Sequence, residues 1–195
     1  MSSKSQSKEG QLLKIAEEIK ACALCREGKT GLPVPGEGDA GADIFFVGEA
    51  PGKEEAKSGR PFIGRSGKFL RGTLREMGLR EEEIFIASPV KYLPLKGTPS
   101  KAEIAHGTTH LLRQLAVIEP KVIVLMGNVA VWALLGLEGS VSQEHGNVVR
   151  KEGRTYLITF HPAAAMRFPK IRQAFLNDLT ILKRLIKKPG LRFGV

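Results

Sequence analysis

Four short apolar runs punctuate the chain: residues 43–47, 84–88, 121–126 and 155–160. Each is too short and too evenly apolar for an amphipathic helix, and each ends in glycine, proline or a polar turn. They read as strands buried on both faces. Between them the pattern changes to a helical period. Residues 9–21 place Leu12, Leu13, Ile15, Ala16 and Ile19 near one stripe and end at Cys22. A helix starting near Ser66 turns Phe69, Leu70, Leu74 and Met77 inward and stops at Gly78. Ser100 and Glu103 form a capping-box signature for a helix to about Ile118. Gly127 and Asn128 turn into a helix over 129–135, and a long basic helix spans 170–187. Residues 148–150 and 155–160 read as a hairpin step around Glu152-Gly153. There is no internal repeat. Strands alternating with helices predict an α/β fold, a three-layer α/β/α sandwich around a central four-stranded parallel sheet.

That topology has a consequence for chemistry. A parallel sheet gathers the C-terminal ends of its strands on one edge, where ligands bind. Glu49, Ser88, Asn128 and His161 each follow the end of a predicted strand, so four polar residues distant in sequence are expected to meet there. The first strand passes into Gly48-Glu49-Ala50-Pro51-Gly52 and a polar loop to Pro61-Phe62-Ile63-Gly64. Glu49 can orient a water, His161 can donate to a developing anion, and Phe62 offers a flat face to a planar ring. Taken singly, each has an ordinary structural reading: a cap, a satisfied histidine, a core aromatic.

Charge narrows the partner. Thirty Lys and Arg against 20 Asp and Glu leave a net charge of +10, which suits a polyanion such as nucleic acid. The 195 residues and 42% hydrophobic content suffice for one α/β core. We expect one domain over 9–188, with tails at 1–8 and 189–195. No apolar run approaches the ~20 residues of a membrane span, and the polar N-terminus lacks the apolar segment of a secretory signal. The expectation is a monomer in the cytoplasm, on the nucleoid when bound to DNA. Two cysteines, Cys22 and Cys25, are too few for a disulfide scaffold. Half of a metal or cluster site, a redox pair and two unpaired thiols stay open. An acid, an imidazole, an aromatic plate and a basic surface fit cleavage of a base–sugar bond on a nucleotide flipped from the stack. A nucleotide-binding enzyme is disfavoured, because the chain has neither GxGxxG nor a P-loop lysine pattern.

GEAPG at 48–52, GRPFIG at 59–64, SGKFL at 66–70 and HPAAAMR at 161–167 resemble the uracil-DNA glycosylase superfamily, most of all its thermostable iron–sulfur branch, family 4. The resemblance covers nearly the whole chain. It implies that Glu49 directs the water, that Phe62 stacks on the flipped uracil, and that His161 stabilises the uracil anion through O2. Gly48 and Ala50 would shape the pocket floor. Pro162, Ala163, Met166 and Arg167 would belong to a loop entering the minor groove, with Met166 as wedge and Arg167 as phosphate or groove contact.

Two departures stand out. Where the family carries an asparagine that reads the uracil edge, this chain has Ser88 in Ala87-Ser88-Pro89-Val90-Lys91. A hydroxyl offers one donor and cannot span two ring atoms. We expect broadened specificity, with hypoxanthine and xanthine beside uracil, or a catalytically impaired member that binds damaged DNA without efficient turnover. The family's iron–sulfur cluster uses four cysteines. Cys22 and Cys25 match two of them, but Tyr92 and His106 stand at the other positions. The expectation is loss of the cofactor, with a 4Fe–4S cluster or Zn²⁺ on Cys22, Cys25 and His106 as alternatives. The N-terminal helix and the loop after Ser88 would then be the least stable region.

Overall fold

The computed structural model describes residues 7–186. The proposed tails lie outside these residues, apart from Ser7, which caps the first helix, and Lys8, which opens it. The elements run α1 (Lys8–Ala21), α2 (Ala23–Arg26), β1 (Lys29–Thr30), β2 (Glu37–Gly38), β3 (Ile44–Val47), α3 (Lys53–Ser58), α4 (Arg65–Glu76), β4 (Ile84–Ala87) and β5 (Leu93–Pro94). They continue α5 (Lys101–Ile118), β6 (Val122–Met126), α6 (Asn128–Leu135), α7 (Val141–Glu144), β7 (Val148–Lys151), β8 (Arg154–Thr159), α8 (Pro162–Arg167) and α9 (Pro169–Ile186).

The sheet has six strands in the order β2-β4-β3-β6-β8-β7, rather than four. The inner four are parallel, and β2 and β7 add antiparallel edges. The edge β2 is two residues of Glu-Gly whose pairing is made by backbone alone, so no side-chain pattern announces it. At the other edge, Glu152 (φ 51°) and Gly153 (φ 74°) make a two-residue turn with both φ positive, the geometry that matches strand twist.

Strand alternation splits the apolar runs between two cores. Phe45, Val47, Phe85, Ile123, Leu125 and Ile158 pack under α5 and α6. Ile44, Phe46, Ile86, Val124, Met126 and Leu157 pack under α4, α8 and α9. Helices therefore cover both faces. α1 lies outside α5, where Lys8 Nζ donates to the Ile118 carbonyl (3.0 Å) and Arg113 pairs with Glu18.

Register fixes the site edge. Val47 pairs with Ala87 and Leu125, and Met126 pairs with Thr159. The residues that follow these pairs therefore leave the sheet side by side. The β4 exit is held from behind by α5, where the Pro89 carbonyl sits against Gly107. A Cβ on Gly107 would lie 1.9 Å from Pro89 O. Helix propensity alone favours Gly107→Ala by about 1 kcal/mol. The clash reverses the sign, and we expect a loss of about 1–3 kcal/mol, measured as a lower urea midpoint. A stabilised variant would show that the helix and loop do not meet as described.

Candidate base-binding crevice

Three of the four strand-end residues share a crevice of about 350 Å³. Its walls include Glu49, Ala50, Phe62, Ser88, His161 and Ala163. Phe62 and His161 face each other with ring centroids 5.9 Å apart and planes tilted by 37°. Gly48 leaves β3 with its N–H donating to the Ala87 carbonyl (2.9 Å). A Cβ there would lie 2.6 Å from Phe62 Cζ and 2.9 Å from Ser88 Oγ. Gly48 thus lets the aromatic ring and the serine hydroxyl approach the strand end together.

Asn128 does not join them. It stands at the start of α6, where its Oδ1 accepts from the Val141 N–H (2.9 Å). That backbone donor claims the carboxamide and holds it away from the crevice. A residue the sequence reading passed over does much of the positioning. The buried Glu55 carboxylate accepts from the N–H groups of Gly52 (3.1 Å), Ile63 (2.9 Å) and Gly64 (2.7 Å). It clamps both ends of the loop that carries Phe62. Its sequence signal was its place three residues after Gly52, as in a capping box.

The two chemistry-bearing groups are shifted by the same cause. Burial raises the Glu49 carboxyl above its usual range, and the carboxylate has no ion-pair partner among the described residues. Burial lowers His161 to about 4. His161 caps α8, and its Nδ1 accepts from the Ala163 N–H (3.2 Å). The ring is therefore neutral near pH 7 and carries its proton on Nε2, a hydrogen-bond donor.

Beyond Ala163 the crevice opens into a groove walled by Lys53, Arg65, Met166 and Arg167. Pro162 is buried at the first turn of α8, whereas Ala163, Met166 and Arg167 are exposed. Lys53, Arg65 and Arg167 have no ion-pair partner among the described residues. The groove thus presents the apolar tip of Met166 among three cations, with Glu54 and Glu55 on the same walls.

The family model of the uracil DNA glycosylase superfamily matches residues 35–180. The chain belongs to the uracil-DNA glycosylase superfamily. It is 38% identical to the type-4 uracil-DNA glycosylase of Thermotoga maritima over 90% of this chain and 95% of that one. The type-4 uracil-DNA glycosylase of Archaeoglobus fulgidus is 36% identical over 89% and 92%. The type-5 uracil-DNA glycosylase of Thermus thermophilus is 31% identical over 78% and 80%. Among the described residues no helix is long and apolar enough to cross a membrane.

The four-cysteine cluster of family 4 does not fit this uracil-DNA glycosylase superfamily member, because the whole sequence holds two cysteines. Tyr92 does not replace a ligand. It is buried, and its hydroxyl donates to the Lys20 carbonyl (3.3 Å). Instead Cys22, Cys25, His106 and His110 bring one potential ligand atom each within 4.8 Å of one another. His110 was missed in the sequence, although His106 and His110 stand four apart on one face of α5.

The His161 assignment is directly measurable. NMR titration of its ring should give a midpoint near 4 and the Nε2–H neutral tautomer at pH 7. The unfolded chain protonates near 6.5, while the folded ring stays neutral to about 4. This group therefore costs stability as pH falls through that window and is without effect above it. A midpoint near 6.5 would show the ring to be solvated.

Proposed function

We propose that this chain is a monofunctional DNA glycosylase that starts base-excision repair on uracil and other deaminated bases. The observation that carries the reading is the placement of Glu49, Phe62 and His161 around one crevice. The type-4 and type-5 relatives, named as uracil-DNA glycosylases, support uracil as a substrate. The flipped base stacks on Phe62 and the glycosidic bond breaks heterolytically. Its electron pair leaves with the base, whose O2 takes the negative charge and accepts from His161 Nε2–H. A neutral donor suits this step, since it stabilises charge as it develops without transferring a proton to the ring. The sugar becomes oxocarbenium-like, and a water oriented by the Glu49 carboxylate attacks C1′. The products are the free base and an abasic site. Among the described residues no lysine lines the crevice, which supports a reaction without a Schiff base that leaves the strand intact.

Lys53, Arg65 and Arg167 serve the phosphates on either side of the flipped nucleotide, and Met166 fills the space it leaves. The protein acts as a monomer on nucleoid DNA. Ser88, buried beside Gly48, offers the base edge one hydroxyl, so uracil, hypoxanthine and xanthine are all admitted. The alternative of an impaired binder gains no support from the relatives, which are named as uracil-DNA glycosylases.

Single-turnover cleavage of a uracil-containing duplex, read after alkali, tests the mechanism. Glu49→Gln should slow it about 10²–10⁴-fold and His161→Ala about 10²–10³-fold, with duplex binding kept. The wild-type rate should fall at acid pH with a midpoint above the usual carboxylate range, as Glu49 takes up its proton. His161→Ala should leave that midpoint in place. Full activity of either variant would remove the assigned roles. Ser88→Asn should raise the preference for uracil over hypoxanthine by at least about tenfold; an unchanged ratio would mean that Ser88 does not set it.

A further inference from the structure

A second cluster of chemistry-bearing side chains lies apart from the crevice. Cys22 ends α1 and caps α2, Cys25 lies within α2, and His106 and His110 project from consecutive turns of α5. Cys22 Sγ is 3.2 Å from His106 Nε2. The two imidazoles stand edge to face with centroids 5.7 Å apart. Cys25 is 4% and His110 8% exposed. The Nδ1 of His110 is buried without a hydrogen-bond partner among the described residues. An uncompensated buried nitrogen is costly, and it calls for an explanation by a ligand.

Donor type and spacing decide what that ligand is. Two thiols and two imidazoles in the pattern C-x₂-C and H-x₃-H form the closed donor set of a structural zinc site. A tetrahedral ion with bonds of about 2.0–2.3 Å sets its ligand atoms roughly 3.3–3.8 Å apart. The four atoms here lie within 4.8 Å of one another, and Cys22 Sγ and His106 Nε2 are 3.2 Å apart. An iron–sulfur cluster spreads its ligands over several irons, so cysteine and histidine ligands on different irons stand a metal–metal edge further apart. That applies to a four-iron cube and also to a two-iron cluster held by two cysteines and two histidines. We propose that Cys22, Cys25, His106 and His110 hold one tetrahedral zinc ion, where the sequence relatives of the iron–sulfur branch carry a cluster.

Such an ion joins parts of the chain 84 residues apart, since Cys22 and His106 share it. It fastens α1 and α2 to the turn of α5 that flanks Gly107, and Gly107 in turn supports Pro89 beside Ser88. All four positions on the ion are taken by protein, so it has no open site for substrate. It acts as a staple and takes no part in the base chemistry. Two thiolates balance its charge, and binding releases their protons.

Metal analysis of the full-length chain, purified without an affinity tag that binds metal, tests this directly. We expect one zinc per chain, no acid-labile sulfide and a colourless protein. Replacement by Co²⁺ should give the intense visible bands of a tetrahedral cobalt–thiolate site. His110→Ala should lose the stoichiometric ion and melt at a lower temperature, while Tyr92→Phe should keep the ion. Two or four irons with sulfide would overturn the proposal. So would the absence of stoichiometric zinc or cobalt after reconstitution, or full retention of the ion in His110→Ala. If His110→Ala does not fold, the cobalt spectrum of the unaltered chain decides alone, and a spectrum without thiolate-to-cobalt charge transfer counts against the site.

Discussion

Phe62 holds a left-handed backbone conformation, with φ of 52°, and the crevice is built around the room made for it. A bulky residue takes that conformation only where its surroundings impose it. Here they do so from several sides. A Cβ on Gly67 would lie 2.0 Å from the Phe62 carbonyl carbon, so the first turn of α4 can approach only as glycine. Gly48 leaves equivalent room against the ring. Arg71 donates from Nε to the Phe62 carbonyl (3.2 Å) and from a terminal guanidinium nitrogen to that of Pro61 (3.1 Å). Glu55 draws the two ends of the loop together. The strain at one residue is thus offset by glycines, a guanidinium and a buried carboxylate, and the result is a fixed aromatic plate opposite His161.

The same enclosure sets the electrostatics. Removing water disfavours charge on either group, so Glu49 is pushed toward its acid form and His161 toward its neutral form. These shifts serve the proposed chemistry in different ways. His161 becomes a neutral donor over the whole working range of pH, with its tautomer fixed by the Ala163 N–H. Burial raises the Glu49 carboxyl, and no ion-pair partner among the described residues offsets that shift. The groove alongside sets Lys53, Arg65 and Arg167 next to the acids Glu54 and Glu55, while the crevice itself is lined by the acids Glu49 and Glu55 and no basic side chain other than His161 among the described residues.

Much of this was legible in the chain because strand ends are marked twice, by the end of an apolar run and by the glycine, proline or polar residue that follows. That is why Glu49, Ser88 and His161 could be placed on one edge from spacing alone. Asn128 satisfied the same rule and still turned away, since its fate depends on the Val141 N–H, thirteen residues on, and no local pattern records that partner. The edge strand β2 left no trace because glycine and glutamate pair there through backbone groups. His110 was hidden differently. Tyr92 and His106 stand where a four-cysteine pattern would have ligands, whereas the candidate ligand set follows the face of α5, on which His106 and His110 are neighbours. Glu55 reads as one more surface acid of a polar loop until its three backbone donors are seen.

The central claim is that one extruded nucleobase lies between Phe62, His161 and Glu49. A crystal structure of the protein with a duplex carrying a uracil nucleotide whose glycosidic bond resists hydrolysis tests it most directly. The account predicts the uracil ring stacked on Phe62, its O2 about 3 Å from His161 Nε2, and a water between the Glu49 carboxylate and C1′. A flipped base held elsewhere, or one that reaches the crevice with His161 and Glu49 on the same side of the glycosidic bond, would contradict it.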